Sequence, residues 1–268
     1  MDKNADLVFS YTNDKADVNA INNTKSIRMS SEGFCIAITS SENRLEKLFH
    51  YSYASGLSWK EKLEVIVYFD KEESKCIRNI FRIYTEYNTQ IPQEFYSPDD
   101  EPKIAALLTG NPKDYIPISE KIDSWKLYTI SLWEKELGVG IKEKFPDFQL
   151  STTMASLMDC LSNQEQEAAF VFIENKNFTI VVGNKKNLLG ANTFSFTSET
   201  DFLYYCLAFL RKIFPKTSDI PLVLCGNIVE QSPLFTAAKK YFSSVKLIAP
   251  TESNDLPIDN YSYYCDLF

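Results

Sequence analysis

One order of strands and helices occurs twice along this chain, and it restricts the fold more than any other feature. A shift of 144 residues places Phe34 on Phe178, Ile36 on Ile180, Asn43 on Asn187 and Leu45 on Leu189, all identical pairs. The same shift sets Trp59, Leu63, Ile66 and Phe69 against Leu203, Leu207, Leu210 and Ile213 at helical spacing. A shift of 143 brings Ile80-Phe81 onto Val223-Leu224, whereas Phe49 and Tyr51 need 145 to reach Phe194 and Phe196. A pattern recurring at a nearly fixed offset reads as an ancient duplication of one unit. The alternative is a single unusual mixed α/β domain.

The later copy is the more legible. Ala169–Ile173 and Phe178–Val182 are β-prone runs joined by the polar turn Glu174-Asn175-Lys176-Asn177, and a third strand passes through Phe194 and Phe196. Thr197 or Ser198 caps a helix over Glu199–Phe214, with Glu199 and Asp201 favourable in its first turn and Pro215 ending it. That helix is apolar nearly all round, which predicts burial on most sides. Pro221–Cys225 is a short continuous apolar strand of the kind covered on both faces. Gly226-Asn227 then turns the chain, Ser232-Pro233 opens a helix through Phe242, and Val245–Ile248 is the last strand. The order is three meandering strands, helix, strand, helix, strand.

The earlier copy has Ser26–Met29, the turn Ser30-Ser31-Glu32-Gly33, the strand Phe34–Ile38 and a helix over Ser58–Glu73. An extra stretch at about residues 85–124 holds the short helix Lys103–Leu108 and precedes a strand at Lys126–Ile130. Helices Trp133–Lys144 and Thr152–Leu161 follow. The polar run Ser162–Glu167 suggests domains of residues 1–163 and 164–268. The first 24 residues are polar apart from Leu7-Val8-Phe9, and are expected to trail over the surface unless that patch docks. The aromatic tail Asn260–Phe268 lacks a helix or strand signal and is expected to pack back on its own domain or dock elsewhere.

Composition narrows the chemistry. The 268 residues are 44% hydrophobic with a net charge of −8, a globular composition that argues against a nucleic-acid partner. No apolar run reaches the ~18–20 residues of a membrane span, and the first residues lack a signal-peptide layout, so the expectation is a soluble cytoplasmic protein without membrane insertion. The six cysteines form no metal or redox motif; Cys35, Cys206 and Cys225 lie in apolar runs and read as buried hydrophobes. His50 is the only histidine and falls in a strand-like run, so it reads as structural, and a multi-histidine metal site is impossible. The carboxylate pairs Asp99-Asp100 and Glu72-Glu73 read as solvated loop or helix-end residues.

Two such units in tandem resemble the actin-like ATPase superfamily of actins, sugar kinases and heat-shock chaperones. The resemblance implies an α/β fold of two ribonuclease-H-like domains, with mixed five-stranded sheets flanked by helices. Leu222–Asn227 followed by Pro233-Leu234-Phe235 is similar to that family's adenosine loop with one glycine lost. Its phosphate hairpins, which carry Asp-x-Gly in each half and hold magnesium-bound phosphate, are not matched. Arg28 or Met29 in the first half and Ile173 in the second stand near the aspartate positions, beside the turns Ser30–Gly33 and Glu174–Asn177. An apolar side chain cannot ligate a hard cation. The sequence thus resembles a degenerate member, an uncharacterised bacterial family more distantly similar to the pilus-assembly scaffold PilM.

The functional expectation is a binding or scaffold protein that has lost its ATPase motifs, needs no cofactor or metal, and has no catalytic residues. A protein or peptide partner is expected in the interdomain groove, at Ser30, Ser31, Glu32, Gly33, Glu174, Asn175, Lys176, Gly226 and Asn227. Turn acids such as Glu32 and Glu174 are ordinarily solvated. The competing reading is a divergent ATP-dependent phosphotransferase in which Glu32 or Glu174 replaces the missing aspartates. A nuclease is disfavoured, because neither first strand carries an acid for a two-metal site.

Overall fold

The computed structural model of the chain describes residues 4–14, 22–71, 76–249 and 256–268; the Glu72-Glu73 pair and parts of the N-terminal stretch lie outside the described residues. The first half runs β1 (Ala5–Thr12), β2 (Thr24–Met29), β3 (Gly33–Thr39), β4 (Leu45–Tyr53), α1 (Trp59–Lys71) and β5 (Arg78–Ile83). An inserted group follows, comprising β6 (Asn88–Pro92), α2 (Glu101–Thr109), β7 (Tyr115–Ile122) and β8 (Leu127–Glu134). The strands β6, β8 and β7 make their own three-stranded antiparallel sheet. After α3 (Lys135–Lys144), β9 (Gln149–Thr152) returns to the first sheet and α4 (Thr153–Ser162) leaves it. Trp133, expected to begin a helix, is instead the penultimate residue of β8, where it is buried.

The second half runs β10 (Ala168–Glu174), β11 (Asn177–Gly183), β12 (Leu188–Ser195), α5 (Glu199–Ile213), β13 (Leu222–Gly226), α6 (Pro233–Ala238), β14 (Val245–Leu247) and α7 (Ile258–Tyr264). Its sheet has the order β12-β11-β10-β13-β14, and the first sheet repeats it as β4-β3-β2-β5-β9. In both, an antiparallel meander is extended by two parallel strands on the side of its first strand. The first sheet carries a sixth strand, so the expected five is corrected there. β1 pairs antiparallel with β4 from Ala5 opposite Tyr53 to Thr12 opposite Lys47, so this N-terminal segment is sheet rather than a trailing arm. A meander's outer strand has free backbone groups, and β1 satisfies them.

Register corrects the sequence alignment. Phe34 faces Tyr51 and Phe178 faces Phe194, so Tyr51 corresponds to Phe194 at an offset of 143, not Phe49 at 145. Leu45 lies opposite Thr39 and Leu188 opposite Gly183, so Leu45 corresponds to Leu188 rather than Leu189. The cause is one extra loop residue: Ser40 N donates to Arg44 O, whereas Asn184 N donates to Asn187 O. The Asn43 and Asn187 identity is therefore coincidental.

Strand alternation sorts the core into layers. Ile27 and Met29 point to the side of β2 covered by α1 and α3, with Leu63, Ile66 and Ile141. Val171 and Ile173 face α5 and α6, against Phe202, Cys206, Leu210 and Phe235. The opposite faces of the two sheets look at each other. There Cys35, Leu48, Phe170, Phe172 and Cys225 enclose α4 and the C-terminal residues Tyr261, Tyr264 and Leu267. Each fully buried side chain of this kind contributes roughly 1.5–3 kcal/mol.

Helix starts follow their chemistry. Ser58 and Glu61 form a reciprocal capping box before α1, and Ser198 and Thr152 accept from Asp201 N and Ala155 N at the starts of α5 and α4. α5 is less buried than its composition suggests. Phe202, Cys206 and Leu210 are covered, but Tyr204 is 66% exposed and Tyr205 38% exposed.

Candidate functional site

The hairpin turns of the two halves meet across a cleft of about 450 Å³. Ser30, Ser31 and Glu32 enter from the β2–β3 turn, and Glu174, Asn175 and Lys176 from the β10–β11 turn. The strand ladders end at Met29 opposite Phe34 and at Ile173 opposite Phe178, with one further pair, Glu174 opposite Asn177. Ser30 and Glu174 therefore occupy equivalent positions in the two copies. Ser30 Oγ accepts from the Gly33 amide at 3.1 Å, closing its turn on itself.

The remaining walls come from the start of α1, the end of β5, the inserted sheet and α3. Trp59, Tyr84, Tyr87, Tyr115 and Trp133 supply aromatic faces, and Glu86 and Glu134 add carboxylates. Tyr87 and Tyr115 pack edge to face at 5.5 Å. Of the remaining expected site residues, Gly33 and Asn227 line a neighbouring cavity of about 20 Å³, shared with Ser30, Glu174 and Arg28. Gly226 lines neither space; its left-handed φ of 84° lets β13 turn against the Ile173 backbone.

Glu174 is not the solvated turn acid that its sequence context suggests. It is only partly accessible, and its Oε2 is buried without a hydrogen-bond partner. Burial pushes its carboxyl up to about 7, against the pull of Arg28. Glu32 is exposed, as expected. Trp133, 1% exposed, also lines the cleft, and its Nε1 is buried without a hydrogen-bond partner.

Behind the hairpins the two halves are joined by a buried polar cluster. Arg28 projects from β2 between the sheets, pairs with Asp266 and donates to Tyr263 O at 3.0 Å. Its guanidinium lies 5.5 Å from the ring centre of Phe172, the residue equivalent to it in β10, and 5.1 Å from that of Tyr263. His50 Nδ1 sits 3.0 Å from Tyr264 Oη; burial and Arg28 lower its pKa to about 4, which leaves a neutral, structural imidazole. The tail thus reaches both halves: Ser262 Oγ contacts Leu224 O at 3.4 Å while Tyr263, Tyr264 and Asp266 engage β2 and β4. Sequence reasoning missed Arg28 as a buried charge. Its signal was a basic residue set between Ile27 and Met29 in a covered strand.

Two sheets that share this five-strand order, flanked by helices and with hairpins meeting at a cleft, define an actin-like ATPase fold of two tandem domains. The chain resembles a Bacteroides thetaiotaomicron protein with an actin-like ATPase fold and unknown function, at TM-score 0.74 and 19% identity over 87% of this chain and 93% of that one. It also resembles PilM in the PilM–PilN type IV pilus biogenesis complex, at TM-score 0.64 and 10% identity over 93% and 98%. A third likeness is the cytoplasmic domain of EpsL, an inner membrane component of the Vibrio cholerae type II secretion system, at TM-score 0.51 and 8% identity over 87% and 92%. Residues 13–245 match the family DUF3822, described as a protein of unknown function, and the chain belongs to that family. No curated protein matches it significantly. Among the described residues no helix is long and apolar enough to cross a membrane.

An actin-like fold implies magnesium-bound nucleotide in the cleft, and the residues present are a poor fit to it. Met29 and Ile173, near the positions that the resemblance gives to metal-orienting carboxylates, are buried and packed under α1 and α5. Among the described residues no three His, Cys, Asp or Glu side chains converge as a metal set. The cleft itself carries four carboxylates, Glu32, Glu86, Glu134 and Glu174, against one lining lysine, Lys176.

Proposed function

We propose that this chain is a cytoplasmic binding protein that has lost the ATPase chemistry of its fold and holds a protein or peptide partner in the cleft between its domains. The observation that carries the reading is the acidic cleft with apolar Met29 and Ile173 at the strand ends. A triphosphate brought there meets carboxylates and no built cation site, and like charges repel. The cleft is framed by residues from both halves, with the division placed near residue 163, and by the inserted sheet, so an occupant would touch all three. PilM, with the same fold, is seen in a complex with PilN, which supports a partner-binding role for this layout.

Thermal unfolding with magnesium-ATP tests the proposal. A ligand at about 100 times its dissociation constant stabilises by about 2.7 kcal/mol, enough to raise the melting temperature by several degrees. The expected result is no shift and no phosphate release above the blank. A magnesium-dependent shift that disappears in Glu174→Gln or Glu32→Gln overturns the proposal in favour of a divergent phosphotransferase.

A further inference from the structure

Two arginines stand side by side between the sheets, and only one of them has a counter-ion. Arg28 of β2 and Arg82 of β5 are partners in the parallel ladder, and both are buried, at 6% and 8% exposure. Arg28 pairs with Asp266. Arg82 has hydroxyl partners instead: its Nε donates to Ser156 Oγ at 2.8 Å and its Nη1 to Ser26 Oγ at 2.9 Å. Among the described residues no carboxylate lies within ion-pair distance of Arg82, and its Nη2 has no partner. A guanidinium stays charged at any ordinary pH, and a buried charge without a counter-ion is costly.

Arg82 lines a crevice of about 680 Å³ between the two halves, at the end of the sheets opposite the cleft and sharing no lining residue with it. Its polar wall sets Arg82 among Ser26, Ser151 and Ser156, and Arg78 and Lys246 add two further cations against two acids, Glu120 and Asp159. Neither acid is a strong counter-charge. Burial pushes the Glu120 carboxyl up to about 7 in spite of Arg82, and burial also raises that of Asp159 against the pull of Arg82 and Arg78. The facing wall is apolar. Half-buried Cys160, Ile248 and Phe268 reach the space beside Tyr261, backed by Phe170 and Val223. The crevice thus offers one surplus positive charge beside a hydrophobic surface.

We propose that this crevice is a second binding site, for a small monocarboxylate with an apolar body, its carboxylate accepting from Arg82 Nη2 and its body lying against Ile248, Tyr261 and Phe268. A charge-assisted bond to a buried arginine is among the stronger polar contacts available to a ligand. A single negative charge matches the single unpaired guanidinium, whereas a multiply charged anion would also meet Glu120 and Asp159. A polar anchor on one side and apolar walls on the other is the usual layout of a small-molecule site. The proposal is independent of what occupies the cleft.

Amide chemical shifts of the intact chain test this, with phenylacetate as the probe. Its controls are 2-phenylethanol, which is neutral, acetate, which lacks the ring, and inorganic phosphate, which carries charge alone. The expected result is saturable shifts at Ser156 and Ile248 but not at Ser31 or Lys176, half-complete at about 1 mM or below. All three controls should bind at least about tenfold more weakly. Arg82→Met should abolish binding, and Lys246→Glu, at an exposed residue of the rim, should weaken it about threefold. Binding of 2-phenylethanol as tight as that of phenylacetate overturns the anion site. Acetate or phosphate binding equally tightly overturns the apolar wall's part in it. No shift, or shifts confined to the cleft turns, overturns the site outright. If Arg82→Met does not fold, the 2-phenylethanol comparison and Lys246→Glu decide on folded protein, and undiminished binding in Lys246→Glu overturns the anion site.

Discussion

Arg28 of β2 and Asp266 of the C-terminal turn form an ion pair across 238 residues of sequence, both side chains buried, at 6% and 1% exposure. The pair ties the last residues of the chain to the first sheet, while Tyr264 and Leu267 fill the space between the two sheets. Asp266 Oδ2 has no partner, so the pair is imperfectly satisfied.

Breaking such a pair is costlier than replacing it, because a lone buried charge remains. Asp266→Leu is expected to lower stability by about 3–5 kcal/mol in denaturant unfolding, and Arg28→Met by a similar amount. Arg28→Met combined with Asp266→Leu should recover most of the loss. Additive losses in the double variant would contradict a pairwise latch.

Two buried carboxyls, one of them in the cleft, carry a pH signature. Glu174 and Glu120 both have carboxyls pushed up to about 7, chiefly by burial; Glu120 also accepts from Ser151 Oγ at 3.0 Å. A folded-state pKa above the unfolded value favours the protonated folded form. The stability it contributes is complete below the ordinary carboxylate range and is lost as pH rises through about 7. Stability should therefore fall between pH 5 and pH 8, by of order 3 kcal/mol per group at most. Glu174→Gln should flatten part of that slope, read from melting temperatures across the range. An unchanged slope would place Glu174 in water.

Gly226 turns the chain after β13 at a φ of 84°, and a Cβ there would collide with the carbonyl oxygen of Ile173. Gly226→Ala is expected to lose about 2 kcal/mol or more, since strain and a backbone collision act together. Gly56, also left-handed at φ 83° but with open space around it, is the control. Gly56→Ala should cost clearly less in the same unfolding experiment.

The repeated order of strands and helices was readable because each copy is dominated by local signals. Apolar runs marked β10 and β13, Thr197 and Ser198 marked the start of α5, and Pro215 followed its end. The two turns that meet at the cleft were likewise readable, since polar residues between paired strands leave little else for Ser30–Glu32 and Glu174–Lys176 to form. What pairs with what across the fold was not readable. β1 looks like a polar arm until β4 offers an unpaired edge, and Trp133 looks helical until β6 and β7 bracket β8. Asp266 and Arg28 give no local sign of each other, because a charge is buried only when a distant partner makes burial tolerable. The same holds for Glu174. Its sequence neighbours make it a turn residue, and only the approach of the two halves removes it from water and raises its pKa. Local propensity determined the elements; desolvation at the contact between the domains decided which of their side chains matter.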